Sequence, residues 1–198
     1  MKPFRDFGNK KLQQLIEKAW DLFWQFGFTR VSVEEVCKEA GVSKMTFYKH
    51  FKNKNDLVQF IMKEMSDYSL KLYDEIMSED IPFVEKVRKS VELKIEQTEN
   101  ISEAFFRDFH RQNDPELNKV LQEQRLSNLR TVTDWYLKAQ KEGDIRKDIK
   151  PEFIVYFLNH MIEMVNDEKL VGMYEHPGEL IKELTNFFFY GLLPAENR

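Results

Sequence analysis

The sequence predicts an all-α protein of about nine helices. Glycine and proline are scarce, with seven Gly and six Pro in 198 residues, and they stand at breaks in the hydrophobic pattern and not within it. Apolar residues recur at the spacing of amphipathic helices, and strand signals are absent. A chain of this length can bury a core without disulfide or metal staples.

The first predicted helix runs from about Asn9 to Phe26 and ends at Gly27. The residues of its apolar stripe are Leu12, Leu15, Ile16, Ala19, Leu22, Phe23 and Phe26. Their 3.6-residue periodicity indicates one face in a core and the other in solvent. We therefore expect an amphipathic helix at the start of the fold.

Two short helices follow. Ser32 can cap the second helix, and Glu35 three residues later completes a capping box. Gly41 suits the left-handed conformation that ends a helix, and Ser43 caps the third helix. The pattern predicts two short helices that meet across a tight turn.

This pair has the features of a helix-turn-helix. Cys37 and Ala40 are small where the helices cross, and Phe47 with Phe51 can face the core. The opposite face of the third helix carries Lys44, Thr46, Tyr48, Lys49 and His50. Such side chains hydrogen-bond to phosphates and base edges, so the third helix is a candidate major-groove reader.

Residues 40–57, AGVSKMTFYKHFKNKNDL, resemble the signature of the TetR family of regulators. The resemblance covers about the first 60 residues, and only the helical layout supports it beyond them. It implies phosphate contacts from Tyr48, His50 and Lys54, and another near Ser32. It also implies base or phosphate contacts from three more residues, Lys44, Thr46 and Lys49. Which of them contact bases stays open.

Met45 departs from the family pattern, in which glycine is common at this position. A methionine there either touches a thymine methyl group or is simply exposed, and the sequence does not choose between these alternatives.

Charge is divided unevenly along the chain. Residues 1–54 contain eleven Lys and Arg against six Asp and Glu, whereas residues 55–198 contain nineteen against twenty-eight. A basic N-terminal module on an acidic body can bind DNA phosphates locally, although a fluctuation in surface charge produces the same asymmetry. We expect a DNA-binding domain at 1–54 and an effector-binding and dimerisation domain at 55–198.

A long fourth helix, from Asn53 to about Met77, can pack on both predicted domains and transmit motion between them, as the resemblance implies. The remaining helices are predicted at Pro82–Thr98, Ile101–His110, Pro115–Lys141, Pro151–Leu170 and Pro177–Leu193. Proline recurs in their first turns, where a missing N–H is tolerated.

The last two predicted helices are more apolar than a monomer requires. Pro151–Leu170 carries two adjacent apolar stripes, which make a face wider than a surface helix needs. We expect a four-helix, two-fold interface in a homodimer, with Phe157, Met161, Met164, Leu184 and Phe188 as candidates. Two-fold symmetry predicts a palindromic double-stranded DNA operator. The alternative is an unusually buried core helix within a monomer.

The predicted second domain is rich in large apolar side chains. In the TetR family this region encloses a pocket for a small molecule, so the resemblance implies an effector whose binding relieves repression. The many aromatic residues favour a hydrophobic or aromatic compound as that effector. The candidate pocket residues are Phe105, Phe109, Trp135, Tyr136 and Tyr156. The alternative for each of these aromatics is that it is an ordinary core residue.

Other functional classes find little support. No phosphate loop, nucleophile elbow or metal-binding motif occurs, so we predict no cofactor, no metal and no enzyme activity. Cys37 alone cannot form an intrachain disulfide, and the longest apolar run, Phe187–Leu193, is too short to span a membrane. We interpret the chain as a cytoplasmic regulator without a membrane partner. An all-α protein-interaction module and an all-α enzyme remain the alternatives.

Overall fold

The computed structural model describes residues 4–98, 100–110, 114–165 and 167–192, and they form an all-helical fold as predicted. The ten helices of this part of the chain are α1 (Lys10–Phe26), α2 (Val33–Glu39), α3 (Lys44–His50), α4 (Lys54–Ser78), α5 (Phe83–Thr98), α6 (Glu103–His110), α7 (Pro115–Glu142), α8 (Pro151–Met164), α9 (Glu168–Val171) and α10 (Pro177–Leu192).

Side-chain caps set the helix starts that the sequence predicted. Ser32 Oγ accepts a hydrogen bond from the Glu35 N–H at 3.1 Å, and Ser43 Oγ accepts one from Thr46 N–H at 3.1 Å. Asn53 Oδ1 accepts one from the N–H of Asp56 at 2.9 Å. Each cap satisfies an N–H that has no partner within its own helix.

One predicted helix is divided in two. The sequence predicted a single helix over Pro151–Leu170, but α8 ends at Met164 and α9 begins after Asp167. The Asp167 carboxylate accepts hydrogen bonds from the N–H groups of Lys169 and Leu170 at 2.9 and 3.0 Å. A capping aspartate starts a new helix because its side chain competes with the continuing helical hydrogen bonds. The prediction for Leu193 lies outside the described residues.

The chain divides into two compact units. The first combines residues 1–71 with 101–124, and the second combines 72–100 with 125–198. This division differs from the predicted boundary at residue 54, because α6 and the start of α7 pack with the N-terminal helices. The assignment of DNA binding to 1–54 and of effector binding to 55–198 stays a prediction.

The core of the first unit is aromatic. Trp20 and Trp24 stack with ring centroids 4.6 Å apart, and Trp24 lies 4.7 Å from Phe105 of α6. Phe23 and Phe28 are fully buried beside them. Aromatic rings of this size bury large apolar areas, so α1 and α6 form one hydrophobic core.

In the second unit, α5 packs against α10. Val87 and Val91 of α5 share a core cluster with Phe188 and Phe189 of α10. Tyr136 of α7 joins this cluster, with its ring 5.2 Å from that of Phe188. Among the described residues, no helix is long and apolar enough to cross a membrane.

Candidate nucleic-acid interface

The turn between α2 and α3 has the predicted geometry. Gly41 has a φ of +64°, a left-handed conformation that residues with a Cβ adopt at a cost. Cys37 and Ala40 are buried where the two helices meet, and burial raises the pKa of the Cys37 thiol. A thiol with a raised pKa is a poor nucleophile, so Cys37 acts as a small packing residue.

The third helix has one buried and one exposed face. Phe47 is fully buried and its ring lies 5.8 Å from that of Phe51. Met45 is 81% exposed and Tyr48 is 57% exposed. Lys49 is also exposed. Thus α3 is anchored from behind and presents polar and flexible side chains to solvent.

Two predicted DNA contacts lie on the same face but are partly buried. They are Thr46 and His50. The Thr46 hydroxyl lies 3.0 Å from the hydroxyl of Ser43, so the start of α3 holds it in one orientation. Ser32 is exposed at the start of α2, and its hydroxyl can still donate a hydrogen while its oxygen caps the helix.

Lys44 is paired within the chain. Its ammonium donates a hydrogen bond to the Glu34 carboxylate of α2. This hydrogen bond raises the pKa of Lys44 and lowers the pKa of Glu34. Both groups are exposed, so the pair is weak and solvent-screened. The Lys44 ammonium can therefore leave the Glu34 carboxylate and bind a DNA phosphate at little cost in free energy.

Lys54 has a structural role that the sequence did not indicate. Its ammonium donates hydrogen bonds to the carbonyls of Thr29 and Val31 at 2.8 and 3.0 Å. Burial lowers the pKa of Lys54, an effect that the Asp108 carboxylate opposes. An ammonium has three N–H donors, so one remains for the predicted phosphate contact.

A groove of about 580 Å³ runs between α3 and the start of α1. Its α3 side is formed by Met45, Thr46, Tyr48, Lys49 and His50, and its α1 side by Asn9 and Lys11. Asn9 was predicted only as the start of α1, and neither residue was among the predicted DNA contacts. The adjacent Lys10 and Lys11 at a helix start were the available signal, because cations beside free N–H groups favour an anion.

The loop between α1 and α2 is held by α6. The carboxylate of Asp108 is buried and accepts a hydrogen bond from Thr29 N–H at 2.7 Å. Gly27 has a φ of +76°, and a Cβ built there would lie 2.5 Å from Asp108 Oδ2 and 3.0 Å from the Ala104 carbonyl oxygen. The loop thus approaches α6 closely because residue 27 has no side chain.

The predicted effector residues fall in different units. Phe105 is buried in the core of the first unit and Phe109 stacks on it at 6.1 Å. Trp135, Tyr136 and Tyr156 belong to the second unit. Tyr136 is buried, whereas Tyr156 is exposed and stacks on His160 at 4.1 Å. Phe105 therefore has an evident packing role, and a shared effector site for the five aromatics stays a prediction.

The second unit also carries a groove of about 260 Å³ between α7 and α8, and its lining includes none of these five aromatics. Among the described residues, no group of three or more His, Cys, Asp or Glu could hold a metal ion.

The predicted dimer residues divide into two kinds. Leu184 and Phe188 of α10 are buried within their own chain, and Phe188 shares a core cluster with Val87 and Val91 of α5. Phe157, Met161 and Met164 of α8 are only partly buried. The first two therefore pack inside the chain, and the three residues of α8 keep part of their surface exposed; their place in a dimer interface stays a prediction.

Large exposed aromatic side chains lie beside them on the same two helices. Phe153 of α8 is 56% exposed and Phe187 of α10 is 72% exposed. Phe157 links them, with ring centroids 6.0 Å from Phe153 and 6.4 Å from Phe187. Ile154, the next residue after Phe153 along α8, is buried, so the apolar surface of α8 is divided between solvent and the core.

A helix-turn-helix with a buried anchor and an exposed basic face, followed by a helical body, defines a DNA-binding regulator. Residues 15–61 match the model of the tetR family of bacterial regulatory proteins. The chain is 30% identical over 145 residues to the uncharacterized HTH-type transcriptional regulator YhgD of Bacillus subtilis, with 72% of each chain covered. The chain belongs to the TetR family of transcriptional regulators.

Similarity extends along the whole chain. The uncharacterized HTH-type transcriptional regulator YdgC of Bacillus subtilis is 25% identical over 197 residues, with 96% of each chain covered. The fold is similar to that of the transcriptional regulator FadR from Bacillus subtilis in complex with stearoyl-CoA. That comparison has a TM-score of 0.67 and 19% identity, and it covers 91% of this chain and 99% of FadR.

Proposed function

We propose that this TetR-family regulator is a cytoplasmic homodimeric repressor, and not an enzyme, that binds a palindromic operator and is released by an apolar small molecule. The observation that carries the DNA-binding part is the exposed face of α3. This helix has no acidic residue, and buried Phe47 anchors it. In the dimer, two copies of α3 would enter successive major grooves about 34 to 36 Å apart.

The proposed roles follow from exposure and chemistry. Tyr48 and Lys49 contact phosphates or base edges directly, since both are exposed on α3. Lys44 contacts DNA after leaving Glu34, and Lys54 uses its remaining N–H. Thr46 and His50 act at the partly buried edge of the helix, while Ser32 donates from the start of α2.

We extend the interface to the start of α1. Asn9 and Lys11 line the same groove as Tyr48 and Lys49. A phosphate in this groove would meet the Lys11 ammonium and the N-terminal dipole of α1. The Asn9 side chain already caps the N–H groups of Lys11 and Leu12 at 3.1 and 3.2 Å, so Lys11 is the residue that gains a new contact.

The dimer proposal rests on the exposed aromatic face of α8 and α10. Phe153 and Phe187 expose large rings, and Phe157 lies between them. Contiguous exposed aromatic surface of this kind is typical of protein interfaces. A second copy of the chain would cover it by two-fold symmetry.

The effector proposal draws on fold similarity to FadR, which was solved in complex with stearoyl-CoA. The second unit of this chain has an apolar interior with aromatic side chains from α7 and α10. An apolar effector would bind there and shift the population away from the DNA-competent state, with a coupling of about 1 to 3 kcal/mol.

The test is selection of genomic DNA fragments by the purified protein at near-physiological salt, with Tyr48→Ala in parallel. We expect a palindrome to be enriched by the wild type and lost with the variant. On the selected operator, Lys49→Gln should weaken binding and reduce the salt slope by about one. Lys18→Gln, an exposed lysine of α1 outside the groove, should change neither.

No enrichment by a folded dimer would contradict the repressor proposal and favour the protein-interaction alternative. A Lys18→Gln effect equal to that of Lys49→Gln would show that general charge, and not the groove, determines binding.

A further inference from the structure

Helix α5 places a lysine in the middle of its buried face. The buried residues of α5 are Val87, Ser90, Val91 and Thr98. Lys94 lies three residues after Val91 and four residues before Thr98, and these are the spacings of one helix face. The Lys94 side chain therefore leaves α5 on the side that faces the interior of the second unit, and it is partly buried there.

The Lys94 ammonium has no hydrogen bond or ion pair with any residue that the structure describes, and burial lowers its pKa. Other lysines of α5 are paired. Lys89 forms an ion pair with Glu79, and Lys86 donates to the Met77 carbonyl at 2.8 Å. Since an inward, unpaired ammonium is costly, Lys94 is the exception on this helix.

Two neutral polar groups lie on the same side of α5. Ser90 is 0% exposed and its Oγ has no hydrogen-bond partner in the described part of the chain. The Nε2 of Gln97 is also buried without a described partner. Residues 90, 94 and 97 follow the i, i+4, i+7 pattern, so hydroxyl, ammonium and amide share one stripe. Buried polar groups normally have partners, so two buried groups without one, on the same stripe as the unpaired Lys94 ammonium, indicate a ligand.

The surroundings of this stripe are apolar. Val91 and Ile95 flank Lys94 on α5 and belong to the core cluster that contains Tyr136. The hydroxyl of Tyr73 donates to the Ser90 carbonyl at 3.4 Å, and its ring lies 6.4 Å from that of Trp135. A few polar groups set among apolar side chains are typical of small-molecule sites.

We infer that Ser90, Lys94 and Gln97 bind the anionic end of the effector, and that the effector is an apolar molecule with one carboxylate. The inference rests on the proposed function and names its ligand class. One ammonium neutralises one carboxylate, and the hydroxyl and amide N–H groups satisfy its remaining lone pairs. A group with several phosphates would require more cations than this stripe supplies.

The test is isothermal titration of the full-length protein with dodecanoate and 1-naphthoate, together with the uncharged dodecanol and with dodecanoyl-CoA. We expect the wild type to bind at least one carboxylate more tightly than dodecanol and dodecanoyl-CoA. Lys94→Gln keeps the side-chain length and removes the charge, so the affinity for that carboxylate should fall about 10- to 100-fold. Lys182→Gln, an exposed lysine of α10, should leave it unchanged.

Three results would overturn the inference: neither carboxylate binds the wild type, Lys94→Gln binds the carboxylate as tightly as the wild type, or dodecanoyl-CoA binds more tightly than the acid. Lys94→Met serves as a second variant, and thermal unfolding of both checks that they fold.

Operator binding separates this inference from the proposed function. If a carboxylate binds through Lys94 but does not release the operator, the site stands and the release mechanism fails. If an effector releases the operator equally from the wild type and from Lys94→Gln, the repressor mechanism stands and the Lys94 site fails.

Discussion

Gly27→Ala should destabilise the protein far more than Gly41→Ala, although both glycines have positive φ. At Gly27 the backbone has φ +76° and ψ 153°, a region adopted almost only by glycine, and an alanine there costs about 1 to 3 kcal/mol. Its Cβ would also lie 2.5 Å from Asp108 Oδ2. At Gly41, where φ is +64°, nothing lies within 4 Å of an added Cβ.

The second cost of Gly27→Ala comes from Asp108. To avoid the new methyl group, the Asp108 carboxylate must move away from Thr29 N–H, from which it accepts a hydrogen bond at 2.7 Å. Loss of a hydrogen bond to a charged group costs about 1.5 to 3 kcal/mol. The total is about 3 kcal/mol or more, which lowers the melting temperature of a chain of this size by about 6 to 12 °C. Gly41→Ala should cost about 1 kcal/mol, or about 2 to 4 °C.

Thermal unfolding followed by circular dichroism at 222 nm, at one fixed protein concentration, compares the two variants. An Asp108→Ala background provides the control. There, Gly27→Ala should cost less, because only the backbone strain and the Ala104 carbonyl remain. Equal melting temperatures for Gly27→Ala and Gly41→Ala would refute the contribution of the Asp108 contact.

Three further predictions concern single side chains. Lys54→Met should lower operator affinity, and it should lower the free energy of unfolding by about 1 to 3 kcal/mol because two loop carbonyls lose their hydrogen-bond donor. Lys49→Gln should lower operator affinity alone. A wild-type melting temperature for Lys54→Met would exclude the structural role of Lys54. Phe187→Glu should give monomers in light scattering at micromolar concentration, while Met45→Glu stays dimeric; a Phe187→Glu dimer would place the interface elsewhere. Lys94→Met should be more stable than the wild type in urea at pH 7 without ligand, and a less stable variant would contradict the cost of the buried charge.

The pH dependence of this last difference has a definite sign. Burial lowers the pKa of Lys94 in the folded state, so the unfolded state binds more protons between that lowered value and the unfolded pKa of about 10.4. Wild-type stability therefore rises relative to Lys94→Met as pH increases through this window. Urea unfolding at several pH values measures the difference in free energy of unfolding between Lys94→Met and the wild type. This difference should become smaller toward pH 10.

Local chemistry explains which elements could be predicted from the sequence. Caps at Ser32, Ser43 and Asn53 act within three residues, and the left-handed glycine at residue 41 acts within one turn. The α8 boundary was missed because Asp167 lies inside an apolar periodic segment. The Asp167 cap is a local signal, but the apolar periodicity on both sides of it predicts one continuous helix.

The sequence by itself determined the all-α class, the helix-turn-helix and the exposed polar face of α3, because helical periodicity and caps depend on neighbouring residues. Contacts between residues far apart in the chain were decided only by the tertiary structure. Lys54 donates to carbonyls more than twenty residues earlier, and Asp108 holds a loop near residue 28. Leu184 and Phe188 are buried within the chain, while Phe187 between them in sequence is left exposed. Periodicity shows that a helix face is apolar, but only the packing of the other helices shows which part of that face they cover.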